Sequence, residues 1–234
     1  MTDSADLERS NRALSEAAYL IAHDLAEPLR AVSGFARLLE RRCGGQLDDS
    51  ADEYLAHIVA GARRMDAMLA GLSAFVASER SPIDLESVDV TALVGSLVGE
   101  RMAKLHGLGG EIAVGDLPGA RADPRLVRDL FARLLDNAIR FRGEAPPWVE
   151  ILGERAGDQV HYAVVDRGIG IPAGEEETVV KLFRRASNAA DHVGVGVGLA
   201  IAERIAGRHG GALSIAAREG GGAVVRVSLP AAST

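Results

Sequence analysis

The chain has one cysteine, Cys43, so no disulfide can form within it and the fold has no covalent staple. A lone thiol beside Gly44-Gly45 reads as an incidental turn residue and suits a reducing compartment. Aromatic residues are scarce at 4%, with a single tryptophan, so the core has to be aliphatic. No apolar run approaches the roughly 18 residues that span a bilayer. The first twenty residues are polar at the start and lack the continuous apolar stretch of a signal peptide. A cytoplasmic chain without membrane contact is expected. An excess of positive charge is also missing: the formal net charge is −7, which argues against wrapping a nucleic-acid backbone. What remains is an ordinary globular balance, 47% hydrophobic and 25% charged, over 234 residues, enough for one large domain or two small ones.

Near the N-terminus two segments repeat apolar residues at spacings that alternate four and three. The first is Leu14, Ala18, Ile21, Leu25, Pro28, Val32, Phe35 and Leu39. The second is Tyr54, Ile58, Gly61, Met65, Met68, Leu72 and Phe75, with Leu55, Ala62, Leu69 and Val76 widening the stripe. This spacing predicts long amphipathic helices that pack as a bundle. The stretch 44–50, Gly44-Gly45-Gln46-Leu47-Asp48-Asp49-Ser50, supplies stop, turn and cap. Two antiparallel helices cannot hide stripes this broad in each other, so the hairpin is expected to dimerise into a four-helix bundle. Ser78-Glu79-Arg80-Ser81-Pro82 is expected to break the second helix and to separate a domain over 1–80 from one over 81–234.

Beyond the linker, helical and strand-like segments alternate. Helices are predicted over Val90 to Lys104, from Asp123-Pro124 to about Phe141, and over Leu199 to Arg208. Strands are predicted at Ile112 to Val114, Val149 to Leu152, Val160 to Val165, Leu213 to Ala216 and Val224 to Leu229. The pattern implies an α+β chain whose second domain is a two-layer sandwich, helices over one face of a sheet.

Four motifs carry chemistry. His23 lies between two stripe positions, so on a helix it faces away from the seam. Asp24 beside it can accept from one ring nitrogen and leave the other nucleophilic. Pro28 removes a helix hydrogen bond one turn later, a cost of roughly 3 kcal/mol that points to a structural or functional use. Asp166-Arg167-Gly168-Ile169-Gly170 follows the apolar strand Tyr162 to Val165, a tight loop where backbone approaches a ligand. Gly194-Val195-Gly196-Val197-Gly198 opens a helix and presents free N–H groups to phosphate. It is neither the dinucleotide fingerprint nor a Walker loop, for no strand leads into it and no Gly-Lys-Ser/Thr follows. Asn137 and Arg140, three apart on one helix, suit Mg²⁺ and a phosphate oxygen.

The order of these four boxes resembles the sensor histidine kinases of two-component signalling, whose ATP domain is shared with gyrase and MutL. His23-Asp24-Leu25-Ala26-Glu27-Pro28-Leu29-Arg30, with Phe141-Arg142-Gly143-Glu144 further on, is similar to the kinase modules of bacterial phytochromes. The resemblance runs from about Leu7 to Pro230. It implies an ATP- and Mg²⁺-dependent protein-histidine kinase, a homodimer that passes its phosphoryl group to a response-regulator receiver domain. His23 is then the phosphoacceptor and Asp24 its acid/base partner. Asn137 holds Mg²⁺, Arg140 contacts phosphates, and Asp166 binds the adenine amino group above Gly168 and Gly170. Phe183, in Lys181-Leu182-Phe183-Arg184-Arg185, anchors a lid hinged at Gly194, Gly196 and Gly198.

Some positions depart from the pattern. Arg133 stands where the family commonly has a second asparagine, Arg167 replaces the usual asparagine of the first glycine box, and Val180 fills a site that is often aromatic. Such an arginine either pairs with phosphate or crowds the metal. Glu27 takes the place of the threonine or asparagine of phosphatase-competent relatives, which argues against strong phosphatase activity. Two rivals follow. One is a histidine phosphotransfer dimer whose ATP-like domain binds no nucleotide, favoured by Arg133 and Arg167. The other is a serine kinase of the anti-sigma type, which has no phosphoacceptor hairpin.

Overall fold

The computed structural model describes residues 2–43, 48–80, 82–190, 192 and 194–232. Side chains are described from residue 20 onward, except those of His23, Asp49 and Arg80 within the helices. The chain divides into two compact units, Met1–Ala77 and Ser78–Thr234. Helix α1, Thr2–Cys43, and helix α2, Asp49–Arg80, as far as Ala77, supply the first. α1 runs on through Pro28. α2 reaches Arg80, so the polar stretch expected to break it from Ser78 is helical at its start. Polarity alone does not end a helix; the steric restriction imposed by Pro82 acts only on the residue before it.

On α1 the hairpin buries positions beside the stripe read from the sequence, and on α2 it buries the positions that widened that stripe. Within one chain the buried positions are Ala22, Ser33 and Ala36 on α1 and Leu55, Val59, Ala62 and Val76 on α2. Each set keeps the four–three rhythm; on α1 it is displaced by one residue from the predicted stripe, and on α2 Leu55, Ala62 and Val76 belong to the predicted widening. Ser33 and Asp66 sit in this seam, and the Ser33 hydroxyl donates to Asp66 Oδ2 at 2.8 Å. Much of the rest of the predicted stripe stays open: Ile21 is 57% exposed, Val32 52%, Phe35 69%, Ile58 53% and Met65 49%. Leu14, Ala18 and the turn at 44–47 lie outside the described side chains.

The second unit is a two-layer sandwich. Strands β1 (Glu86–Val88) and β3 (Ala120–Ala122) form an antiparallel pair. Strands β2 (Glu111–Val114), β4 (Trp148–Ala156), β5 (Gln159–Asp166), β6 (Ala212–Ala217) and β7 (Ala223–Pro230) form a sheet of order β2-β4-β5-β7-β6. Only the β2–β4 pair is parallel. Helices α3 (Val90–Gly107), α4 (Pro124–Arg140) and α5 (Gly198–Arg208) make the other layer. Val149 and Ile151, then Val160, Tyr162 and Val164, alternate inward beneath Leu130, Phe131, Leu134, Ile201 and Ile205. Phe131 meets Tyr162 edge to face with centroids 5.4 Å apart.

Caps fix where α4 begins. The Asp123 carboxylate accepts from the Arg125 and Leu126 amides, and Pro124 takes the first turn, where no N–H is needed. From the end of α5, His209 accepts the Asp123 amide on Nε2 at 3.0 Å, with Nδ1 2.7 Å from the Ile205 carbonyl. Both termini that matter to the site are therefore set by core contacts.

Candidate functional site

The last turn of α4 is the meeting place. Asn137 lies half-buried there, and Gly198 stands so close that a Cβ on it would be 3.5 Å from Asn137 Oδ1. Arg140, exposed at the helix end, passes the second glycine box, its Nη1 3.1 Å from where a Gly194 Cβ would lie. The α4 C-cap, Phe141, accepts from the Ile169 amide at 2.9 Å, and a Cβ on Gly168 would strike the Phe141 carbonyl at 2.3 Å. Only glycine permits that approach. One helix end thus touches both glycine loops.

The electrostatics suit an anion. The N-cap of α5, Val197, makes no side-chain cap bond, and no acidic residue occupies the first turn. Its N–H groups and the positive end of the helix dipole therefore lack a protein partner of that kind. Arg140 has no acidic partner among the described residues. Neighbouring Asp136 is engaged, accepting from Arg101 Nε at 2.9 Å. Asn137 makes no side-chain bond among the described residues, leaving its amide oxygen available as a ligand. No cluster of three histidine, cysteine or acidic side chains able to hold a metal occurs among the described residues.

Asp166 closes β5. Its Oδ1 accepts from Gly168 at 2.8 Å and from Ala223 at 3.1 Å. Burial pushes the carboxyl above its usual range, against the pull of these two amides and of nearby Arg218. Sequence reading did not find the turn that supports it. Gly222, at φ 96°, packs so tightly that a Cβ would lie 2.0 Å from the Asp166 carbonyl. The run Gly220-Gly221-Gly222 was the available signal.

The segment from Phe183 to Gly196 is joined at its two ends. Phe183 donates its amide to the Gly196 carbonyl at 2.8 Å, and a Cβ on Gly196 would clash with the Arg184 carbonyl at 2.3 Å. Among the described residues Phe183 is the non-glycine one with positive φ, 62°, and the residue is 36% exposed. Its backbone, in a conformation costly for an L-residue, makes the contact to Gly196. Between those ends the Asn188 amide reaches the carbonyls of Ile169 and Gly170, tying this segment to the first glycine loop. Arg185 donates to the carbonyls of Ala189 and His192, and the His192 ring sits 5.4 Å from Phe141. Nothing in the sequence marked Asn188 or His192, and Arg185 stood only as the last residue of the Lys181-Leu182-Phe183-Arg184-Arg185 motif, with no role of its own.

Two departures find other work. Arg133 turns back along its own helix to Asp129, Nε to Oδ2 at 3.0 Å, away from Asn137. Arg167 lies over the Trp148 ring, Cζ 3.9 Å from the centroid. In the first unit, His23 and Asp24 lie on α1; Asp24 is exposed, and the His23 side chain is outside the described residues.

Comparison with known proteins covers both units. Residues 13–80 match the His Kinase A (phospho-acceptor) domain, and 122–233 match the histidine kinase-, DNA gyrase B-, and HSP90-like ATPase. Phytochrome-like protein Cph1 of Synechocystis sp. is 32% identical over 96% of the chain. The chain spans about 30% of the length of this relative and of cyanobacterial phytochromes A and B of Nostoc sp.. Full-length ShkA, solved in complex with AMPPNP, superposes over 94% of the chain and 46% of its own, with TM-score 0.67 and 24% identity. Histidine kinase ThkA, solved with response regulator protein TrrA, gives TM-score 0.67 over 99% of the chain and 66% of its own, at 19% identity. At these identities the two structures speak to fold. With phosphoacceptor hairpin and ATPase sandwich joined in this order, the protein belongs to the sensor histidine kinases.

Proposed function

We propose that the chain is an ATP-dependent protein-histidine kinase that phosphorylates His23 and hands the phosphoryl group to an aspartate of a response-regulator receiver domain. The observation that carries this is the end of α4, where Asn137 and Arg140 stand between two glycine loops and beside an uncapped helix N-terminus. In this reading residues 1–80 dimerise and carry the phosphoacceptor, and 81–234 bind ATP in the cytoplasm. Among the described residues no helix is long and apolar enough to cross a membrane. The relatives solved with AMPPNP and with a response regulator support the same ligand and partner classes here.

The His23 imidazole attacks the γ-phosphorus of ATP. The bond from that phosphorus to the bridging oxygen breaks, ADP leaves with the electron pair, and the ring proton passes to Asp24. Arg140 and the α5 amides hold the phosphates, and Gly194, Gly196 and Gly198 let the backbone come close. Asp166 accepts from the adenine amino group, with Gly168 and Gly170 beneath the base and Phe183 holding the lid. Mg²⁺ fits the unbonded Asn137 amide oxygen, since this ion takes few protein ligands and completes its shell from phosphates and water. When bound it supplies charge neutralisation on the phosphate chain.

Incubation with γ-labelled ATP tests the reading. Label that is acid-labile and base-stable is expected; an unlabelled chain that still binds no ATP by calorimetry supports the relay reading instead. The two arginines that favoured that rival are occupied by Asp129 and Trp148.

A further inference from the structure

Successive residues of a strand point to opposite faces of the sheet. Asp166 shares the helix-covered face with Tyr162 and Val164, and pairs in register with buried Val149. Trp148, the neighbour of Val149 on β4, therefore belongs to the other face, and Arg167, just past the end of β5, reaches its ring there, behind the loop that holds Asp166. There the Arg167 guanidinium stacks on Trp148 at 3.9 Å, and Arg218 approaches the same ring at 5.7 Å. Arg218 is in turn bound to the turn before β7: its amide donates to the Gly222 carbonyl, and its Nη1 to the Gly221 carbonyl, each at 3.1 Å. That turn presents the Ala223 amide to Asp166 Oδ1. The indole thus joins the two segments, 166–168 and 218–223, whose amides fix the carboxylate.

We propose that Trp148, Arg167 and Arg218 form a brace behind the adenine loop, positioning residues that orient Asp166 for the base without touching nucleotide. The proposal rests on the ATP reading above and explains why arginine is accepted in place of asparagine at position 167: its side chain works on the far face. A planar guanidinium over an indole is the best-matched pair for such a contact.

The test uses the full chain and two nucleotides, ATP and inosine triphosphate, which has a keto oxygen in place of the 6-amino group. The unmodified chain is expected to prefer ATP; absence of ATP binding, or of that preference, overturns the ATP or adenine reading and the brace with it. Arg167→Ala is expected to weaken ATP binding about 3- to 10-fold, a range set by the strength of one cation–π contact, with inosine triphosphate affinity unchanged. Arg167→Lys should restore most of the ratio, because an ammonium also binds an indole face. Trp148→Leu should lower the ratio similarly, and the Trp148→Leu/Arg167→Ala double variant should be no worse than either. Equal losses for both nucleotides, or an unchanged ratio in Arg167→Ala, overturn the brace and leave the ATP reading standing. Arg167 is exposed, so its variants keep the fold testable; Trp148→Phe, which retains a ring, keeps the ratio if the brace is right and loses it if Trp148 only fills space.

Discussion

Oδ1 of Asp166 holds its own loop, accepting from Gly168 and Ala223, while Oδ2 makes no bond among the described residues. Asp166→Asn separates these uses. The amide oxygen can keep both loop bonds, which places the NH₂ group where the adenine donor would arrive, donor against donor. Expected is a loss of ATP affinity of about 1–3 kcal/mol, roughly 5- to 150-fold, with a small change in melting temperature. Asp166→Ala should lower both, because two buried amides then lose their acceptor. Calorimetry and thermal melting on the same samples check this, and unchanged affinity in the Asn variant removes Asp166 from the site. His23→Ala should abolish acid-labile label and leave ATP affinity as it was, because the glycine boxes belong to the other unit. His57, exposed and 3.7 Å from Glu53, is the control: His57→Ala should keep the label.

Among the elements, α4 positions more of the site than any other, and its limits were legible in Asp123-Pro124 and Phe141. Its cap also sets a pH dependence. Desolvation of fully buried Asp123 acts to raise its carboxyl, but the Arg125 side chain and the amides of Asp84, Leu126 and Arg125 outweigh it and hold the group at about 2, down from 3.8. Between those values the unfolded chain binds the extra proton, so stability is full above about pH 4 and falls as pH drops toward 2. Allowing for screening by solvent around exposed Arg125, the contribution is on the order of 1–2 kcal/mol. Melting of the unmodified chain should fall more steeply from pH 5 to pH 2 than that of Asp123→Asn; parallel curves would refute the assignment. The longer elements were legible because their periodicity is long. Strands β1 and β3 were not, since three residues carry no period. Nor was the fate of Arg133 and Arg167, because a long cationic side chain chooses its partner in three dimensions: one took Asp129 a turn back, the other an indole on the neighbouring strand.

For the whole molecule the open question is what covers the hairpin's outer stripe. The sequence pattern showed one stripe on α1 and a widened one on α2, and did not mark the α1 positions that a single chain buries; small residues decide it, since Ala22, Ser33, Ala36 and Ala62 let helices approach closely. The larger side chains Ile21, Leu25, Val32, Phe35 and Leu39, with Tyr54, Ile58 and Met65, are left about half or more exposed along one continuous rhythm. A monomer rarely shows an apolar face of this extent. Covering it with the same face of a second copy would gain on the order of 1 kcal/mol per half-exposed side chain, enough together to offset the cost of association. The unmodified chain is therefore expected to scatter light as a dimer at micromolar concentration. Val32→Glu and Met65→Glu each place a charge in that seam and leave Ala22, Val59 and Val76 untouched, so they should give folded monomers. Leu72, half-buried within one chain, is the contrast: Leu72→Glu should lower the melting temperature as well as dissociate the pair. Light scattering combined with helical circular dichroism distinguishes these outcomes, and an unmodified chain that stays monomeric would show that the stripe serves another partner.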